Sequence, residues 1–261
     1  MTAVADVPAA SSSPGRPRRA RPSWLGLVVQ PAAVAVVFAA FCVWLSTADL
    51  TTAERTTLNP SALVTYTGEH LALTFASAAI VLVLAVPLGV LLTRRPFRRA
   101  AGPVLVLANF GQAAPAVGLI VLLALWLGFS FWTAVIALVL YAALPVLRNT
   151  MIGLQSVDAR LVEAGRGMGM SAVSVLFRVE LPLAVPVMLS GIRTALVLLV
   201  GSAALATFIG AGGLGLLITT GVNLFLPKVL VSGALLVALL ALLIDWLGRV
   251  VEHVARPKGL R

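Results

Sequence analysis

Residues 100–147 read AAGPVLVLANFGQAAPAVGLIVLLALWLGFSFWTAVIALVLYAALPVL, and none of these 48 side chains carries a charge. A helix rises about 1.5 Å per residue, so a hydrocarbon core of ~30 Å needs about 20 apolar residues. The stretch is therefore long enough for two crossings. The break between them falls at Gly128-Phe129-Ser130, a short turn flanked by Trp126 and Trp132 as interfacial anchors.

Working outward, Leu71 to Thr93 is another 23 residues without a charge. Trp24 to Ser46 makes a first span, Ser190 to Ile209 a fifth and Val229 to Leu247 a sixth. Composition agrees: the chain is 60% hydrophobic and 11% charged, with mean hydropathy +1.06. A soluble domain has about a quarter of its residues charged. The expected fold is all-α, a polytopic membrane protein of about six transmembrane helices in one domain over residues 23–250. Residues 1–22, with Ser11-Ser12-Ser13-Pro14-Gly15 and scattered arginines, read as a disordered tail, and 251–261 as a second tail. The apolar run Leu25 to Leu45 is 21 residues, longer than the about 7–15 of a signal-peptide core, so it reads as a span rather than a cleaved leader.

The basic residues orient these spans. Arg16, Arg18, Arg19 and Arg21 precede span one, and Arg94, Arg95, Arg98 and Arg99 separate spans two and three. Arg148, Arg160, Arg166 and Arg178 lie between four and five, and Arg249, Arg256, Lys258 and Arg261 follow six. The opposite side receives only Arg55 and Lys228. Sixteen against two places both termini and the loop between spans four and five in the cytoplasm. The net charge of +10 then follows from membrane topology and anionic lipid, with no nucleic-acid partner implied. Thr47 to His70 becomes an outward loop carrying Asp49, Glu54, Arg55, Glu69 and His70.

Several chemistries find no support in the residues. A phosphate-binding Walker loop needs Gly-Lys-Ser or Gly-Lys-Thr, and both lysines here, Lys228 and Lys258, follow prolines. His70 and His253 fall on opposite sides of the expected membrane, which leaves no paired-histidine metal site. Cys42 is alone and within a span, so it makes no disulfide within the chain. Gly210-Ala211-Gly212-Gly213-Leu214-Gly215 matches the dinucleotide fingerprint in letters, but a membrane helix precedes it and the next acid is Asp245. These glycines read as a tight break at the end of span five, where positive φ is tolerated.

The polar loop between spans four and five is the chain's most specific segment. It reads Glu163-Ala164-Gly165-Arg166-Gly167-Met168-Gly169 and then, after nine residues, Val179-Glu180-Leu181-Pro182. This closely resembles E-A-A-x3-G-x9-I-x-L-P, the loop by which membrane subunits of ABC importers dock onto their ATPases. Gly165 stands for the second Ala and Val179 for Ile. The wider text from Tyr141 to Gly215, including Gly191-Ile192-Arg193-Thr194-Ala195, is similar to permease subunits of osmoprotectant importers, which carry glycine betaine, carnitine, choline or proline. Methionine-type permeases share the loop and a similar glycine cluster.

The resemblance implies a type I ABC importer permease of MetI-like architecture in a bacterial plasma membrane. It implies an ABC ATPase on the cytoplasmic side that binds ATP and Mg, an extracytoplasmic solute-binding protein, and a second permease subunit, identical or homologous. No cofactor is expected in this chain, and it is not expected to be an enzyme. Within the loop 155–182, it assigns the ATPase coupling contact to Asp158, Glu163, Ala164, Gly165, Gly169, Leu181 and Pro182.

Physical chemistry supports that assignment. Asp158 and Glu163 are expected in or just before a first helical turn, where the helix dipole favours acid, with Arg166 near enough to pair. The glycines either let a partner's backbone approach or close a turn. Asn109 and Gln112, three apart on span three with Pro115 three further on, are candidates for the translocation pathway or for interhelical hydrogen bonding. Arg193 is expected in the first turn of span five, snorkelling to the surface. Asp245 is expected to pair with Arg249. The five tryptophans lie near span ends and make no evident cage for a quaternary ammonium, which points to solute selection by a separate protein.

Overall fold

Apolar surroundings leave backbone groups no partner but each other, so a chain this hydrophobic has to satisfy them within helices. A computed structural model describes residues 24–255, with side-chain surroundings from residue 27 onward. The described residues form helices with no strand: α1 (Trp24–Thr47), α2 (Thr52–Thr57), α3 (Pro60–Thr93), α4 (Ala101–Ala113), α5 (Ala116–Leu127) and α6 (Phe131–Gln155). Then follow α7 (Ala159–Gly167), α8 (Ala172–Val175), α9 (Leu181–Ala203), α10 (Gly215–Asn223) and α11 (Pro227–Ala255). The fold is all-α, as expected. The first 23 residues, with the expected tail, and the last six lie outside the described residues.

Five helices are long and apolar enough to cross a membrane, and α4 with α5 makes a sixth only as a bent pair. That pair turns through 99°, which corrects the straight third span expected from the letters. The reason is local. Proline disfavours the helical region for the residue before it and has no N–H to donate. Ala114 accordingly sits at φ −63°, ψ 140°, and Pro115 caps α5 instead of continuing α4. The second break is where the sequence placed it. Gly128 turns at φ 84°, and the Ser130 hydroxyl accepts the Thr133 N–H at 3.1 Å to start α6.

Helix α6 occupies the centre, packed against α3, α4, α5 and α9 around a core that includes Leu138, Val146 and Leu199. Small residues set how closely these helices approach, as in other membrane bundles. A Cβ built on Gly191 of α9 would lie 2.6 Å from the Pro145 carbonyl of α6, and one on Gly111 of α4 2.6 Å from the Leu140 carbonyl. Helix α1 lies outside this core and leans on α11, leaving an apolar cleft of about 1160 Å³ toward α3.

Three further expectations are corrected. Glu69 and His70 are not loop residues, because Asn59 caps α3 at Ser61 and Pro60 takes its first position. His70 is fully buried, its Nε2 2.9 Å from the Val200 carbonyl of α9. Glu54 is not a loop residue either, since it lies on α2. It closes the capping box of α2 with Thr51 and lies 3.7 Å from Lys228, the second residue of α11. The Thr51 N–H bonded to its carboxylate holds Glu54 below the usual carboxylate range, as do the Thr51 hydroxyl and the Lys228 charge, while burial opposes them. A lowered carboxylate pKa means its stabilisation is in place above the ordinary carboxylate range and is lost as pH falls through the folded value.

Arg193 is the third correction. α8, a π-helical turn, α9 and a terminal 3₁₀ segment form one helical run from Ala172 to Ile209, which puts Arg193 in its interior. Its guanidinium reaches Glu252 at 3.2 Å and Asp245 at 3.4 Å, both on α11. Asp245 also pairs with Arg249 at 2.7 Å, as its spacing suggested. The glycine cluster behaves as read: Gly210, Gly212 and Gly213 all have positive φ, between 70° and 90°. Short α10, which follows them, was not anticipated.

Overpacking a well-filled helix contact costs about 1–3 kcal/mol. Gly191→Val should therefore lower the melting temperature of the detergent-solubilised protein, because its branch would meet Pro145 and Asn149 of α6. Gly201→Ala, whose methyl meets nothing within 4 Å, should not lower it. Equal melting of wild type and Gly191→Val would contradict the tight α6–α9 contact.

Candidate functional site

The loop between α6 and α9 holds a short helix, α7, whose ends are both capped. Asp158 is the N-cap of α7, its carboxylate accepting the Arg160 N–H at 2.9 Å. Asp158 therefore stands where an acid favours a helix start. Glu163 does not: it is the fifth residue of α7, beyond the first turn, and no ion pair joins it to Arg166 among the described residues.

The C-terminal end of α7 explains the last glycine of the motif. Met170 N–H donates to the Gly165 carbonyl at 3.1 Å and Gly169 N–H to the Arg166 carbonyl at 2.9 Å. These two bonds, with Gly169 at φ 82°, make a Schellman turn. The glycine is needed there because a left-handed residue with a Cβ is strained. A Cβ on Gly169 would meet no atom of the chain, so intrachain crowding is not the reason. Gly165 is buried, and a Cβ there would lie 3.4 Å from both Met170 Sδ and Val175 Cγ2, an ordinary contact. The alanine of the general motif would fit in its place.

Gly165 thus faces α8 and the π-turn, and the opposite surface of α7 is free. Glu163, Ala164, Arg166 and Leu161 are exposed, and Met168 is 77% exposed. Val173 and Phe177 continue this apolar and charged surface beyond the turn. The exposed surface of the loop thus carries both charged and apolar groups.

The Leu-Pro pair closes the unit. The backbone between Leu176 and Glu180 is a π-turn, with the Leu181 N–H reaching back to the Leu176 carbonyl. Pro182 follows with no N–H to donate, so the run passes from the π-turn into α9 with one backbone bond fewer. Leu181 is half-buried beside Leu154, Ala184 and Met188 and anchors the turn to the bundle.

Glu180, the unspecified position of the motif, went unassigned in the sequence reading. It is only 7% exposed and receives both Nη groups of Arg94, the residue that caps α3, one of them at 3.2 Å to Oε1. Its signal was a single acid between apolar neighbours in a helix start, but nothing in the letters named Arg94 as its partner. Of the pathway candidates, Asn109 and Gln112 lie three apart on α4, and Pro115 does not share that helix. Asn109 is exposed and Gln112 half-buried on α4, neither with a side-chain hydrogen bond among the described residues, and Pro115 lies beyond the 99° bend. The structure gives no interhelical hydrogen bond to either.

The class of this helical bundle, with its capped loop helix standing outside it, is shown by its relatives. The description "Binding-protein-dependent transport system inner membrane component" matches residues 85–256, and the chain belongs to that family. Over 203 residues it is 40% identical to the glycine betaine/carnitine/choline transport system permease protein of Bacillus subtilis, covering 78% of this chain and 93% of that protein. It is also 40% identical over 208 residues to the osmoprotectant import permease protein of Salmonella typhimurium, covering 78% and 96%. Among solved structures, an inward-facing form of the MetNI methionine ABC transporter aligns at TM-score 0.64 and 26% identity, covering 75% of this chain and 96% of that one. The architecture is that of a type I, MetI-like ABC permease, and the chain is a multi-pass membrane protein.

The capped geometry has a direct consequence. Gly169→Ala should destabilise α7 by about 1 kcal/mol, and Gly165→Ala should stabilise it by about 0.5–1 kcal/mol. Limited proteolysis of the loop should accordingly speed up in Gly169→Ala and slow down in Gly165→Ala. The reverse order would show that the Schellman turn does not hold the loop.

Proposed function

We propose that the chain is the membrane-spanning subunit of an ATP-driven importer for a compatible solute such as glycine betaine, choline, carnitine or proline. The observation that carries this reading is the 40% identity to a glycine betaine/carnitine/choline permease across 93% of that protein. The methionine transporter, at 26%, supports the architecture more than its substrate. Methionine is the second reading, kept because that likeness spans 96% of the solved chain.

In this reading the free face of α7, with Glu163, Ala164 and Met168, fits a groove on an ABC ATPase subunit that itself binds ATP and Mg. Asp158 and Gly169 fix the helix ends, Gly165 seats it, and Leu181 and Pro182 join it to α9. The concentration of arginines at the ends of α3 and α6 and along the loop supports a cytoplasmic position for α7 and both termini. A solute-binding protein delivers the ligand on the opposite face, and a second permease subunit completes the pathway. Exposed Asn109 and half-buried Gln112 are the side chains on α4 suited to line it.

Selection by the binding protein agrees with the aromatic side chains. The ring pairs among the described residues, Phe41–Trp44 and Phe131–Trp132, are each neighbours along one helix and form no cage. A quaternary ammonium offers no donor hydrogens and is held mainly by such cages.

The test is uptake of radiolabelled glycine betaine, choline and methionine into proteoliposomes holding the permease, its ATPase and its binding protein. ATP-dependent uptake of a quaternary ammonium is expected, and its loss or uncoupling in Gly169→Glu. Methionine uptake alone would overturn the substrate, and full uptake with ATPase retention in Gly169→Glu would overturn the coupling role. In intact cells, Ser171→Cys should be shielded from an impermeant thiol reagent and Thr57→Cys should label, with Cys42→Ala as background. Labelling of Ser171→Cys from outside would overturn the orientation.

A further inference from the structure

We propose that Arg94 and Glu180 are positioning residues, forming a clamp through which displacement of α7 moves α3 and α9 together. The inference rests on the coupling role proposed for α7. It begins with where a push on α7 would arrive. Helix α7 packs on α8 and the π-turn, and the buried Gly165 faces Met170, Val175 and Val179. Residues 175–180 therefore receive the movement first.

That segment departs from regular α-helical hydrogen bonding within the long run leading into α9. Its backbone bond spans five residues, from Leu181 N–H to the Leu176 carbonyl, and Pro182 removes the next donor. Left alone, a turn of this kind would bend and absorb the push. It is not left alone. Glu180 ends the turn, and its two carboxylate oxygens are held by the two Nη groups of Arg94 at the C-cap of α3. A guanidinium fork on a carboxylate fixes direction as well as distance, which a single contact would not.

The third turn of α3 is tied to the same partner. The Gly213 N–H, in the glycine turn after the 3₁₀ segment that follows α9, donates to Glu69 Oε2 at 2.8 Å, and His70 Nε2 meets the Val200 carbonyl of α9 at 2.9 Å. Helix α3 is thus joined to the α9 chain at two levels, its C-cap and its third turn, with α6 packed against both helices. A movement entering at the π-turn is delivered across the bundle by two helices instead of one. An ion pair that served only stability would leave the ratio of solute carried to ATP hydrolysed unchanged, which makes that ratio the discriminating quantity.

The experiment uses the reconstituted complex of permease, ATPase and binding protein, with uptake and phosphate release followed together and ATPase retention measured on the same preparation. Glu180→Gln keeps the shape and removes the charge, so it should lower uptake per ATP about three- to ten-fold with the ATPase still bound. Arg94→Gln should do the same, and the double variant should be no worse than either single one, because both remove one contact. Arg95→Gln, an exposed neighbour, should keep the wild-type ratio. If the neutral variants fail to assemble, Arg94→Lys decides: it keeps the charge but not the fork, and should still lower the ratio. A wild-type ratio in Glu180→Gln or in Arg94→Lys, or additive losses in the double variant, would overturn the clamp. Gly169→Glu is the reference arm: a defect there beside a normal Glu180→Gln overturns the clamp alone, whereas normal coupling in Gly169→Glu overturns the role of α7.

Discussion

The structure depends on how closely α9 and α3 approach α6. Gly191 lets the α9 backbone lie against the Pro145 carbonyl, and Gly89 of α3 comes up against Thr150 of α6. Neither contact leaves room for a side chain on the glycine. Between lipid and protein there is little hydrophobic gain from helix association, so such fitted contacts carry much of the specificity. With α6 enclosed on these sides, α3 and α9 are held as a unit, and the loop that joins α6 to α9 is anchored at both ends. The position of α7 outside the bundle follows from that anchoring.

Function is then a matter of what α7 shows to its surroundings. Its inward face is a glycine seated on Met170, Val175 and Val179, and its outward face is charged and apolar. The capped ends make it a stiff element rather than a flexible linker, with Asp158 at one end and the Gly169 turn at the other. A stiff helix can transmit force. Its route into the bundle runs through the π-turn, whose compliance is offset by Glu180 and Arg94.

Much of this was legible in the letters, for definite reasons. Uncharged runs are long, so the membrane helices and the Gly128 break could be placed, and the loop motif has fixed offsets. What escaped were short-range backbone effects and long-range partners. The bend before Pro115 was lost in an apolar run that looked continuous, although the residue before a proline avoids the helical region. Asn59-Pro60 is a helix start in cap chemistry, and an expectation drawn from charge alone misses it and puts Glu69 and His70 on the wrong element. Arg193 was judged by depth alone, when its partners Asp245 and Glu252 come from a helix some fifty residues away. The reason for Gly169 was half visible: glycine was expected to close a turn or admit a partner, and positive φ decides for the turn within this chain.

The central claim is that the free face of α7 is the ATPase contact. The most direct measurement is hydrogen–deuterium exchange of the purified permease, with and without its ATPase subunit, under identical detergent conditions. The expected result is strong protection of residues 159–182 on ATPase binding, with α2 and the α10–α11 turn on the opposite face unchanged. Unaltered exchange across 159–182, with protection appearing elsewhere, would contradict the assignment of α7 as the surface through which ATP hydrolysis reaches the membrane.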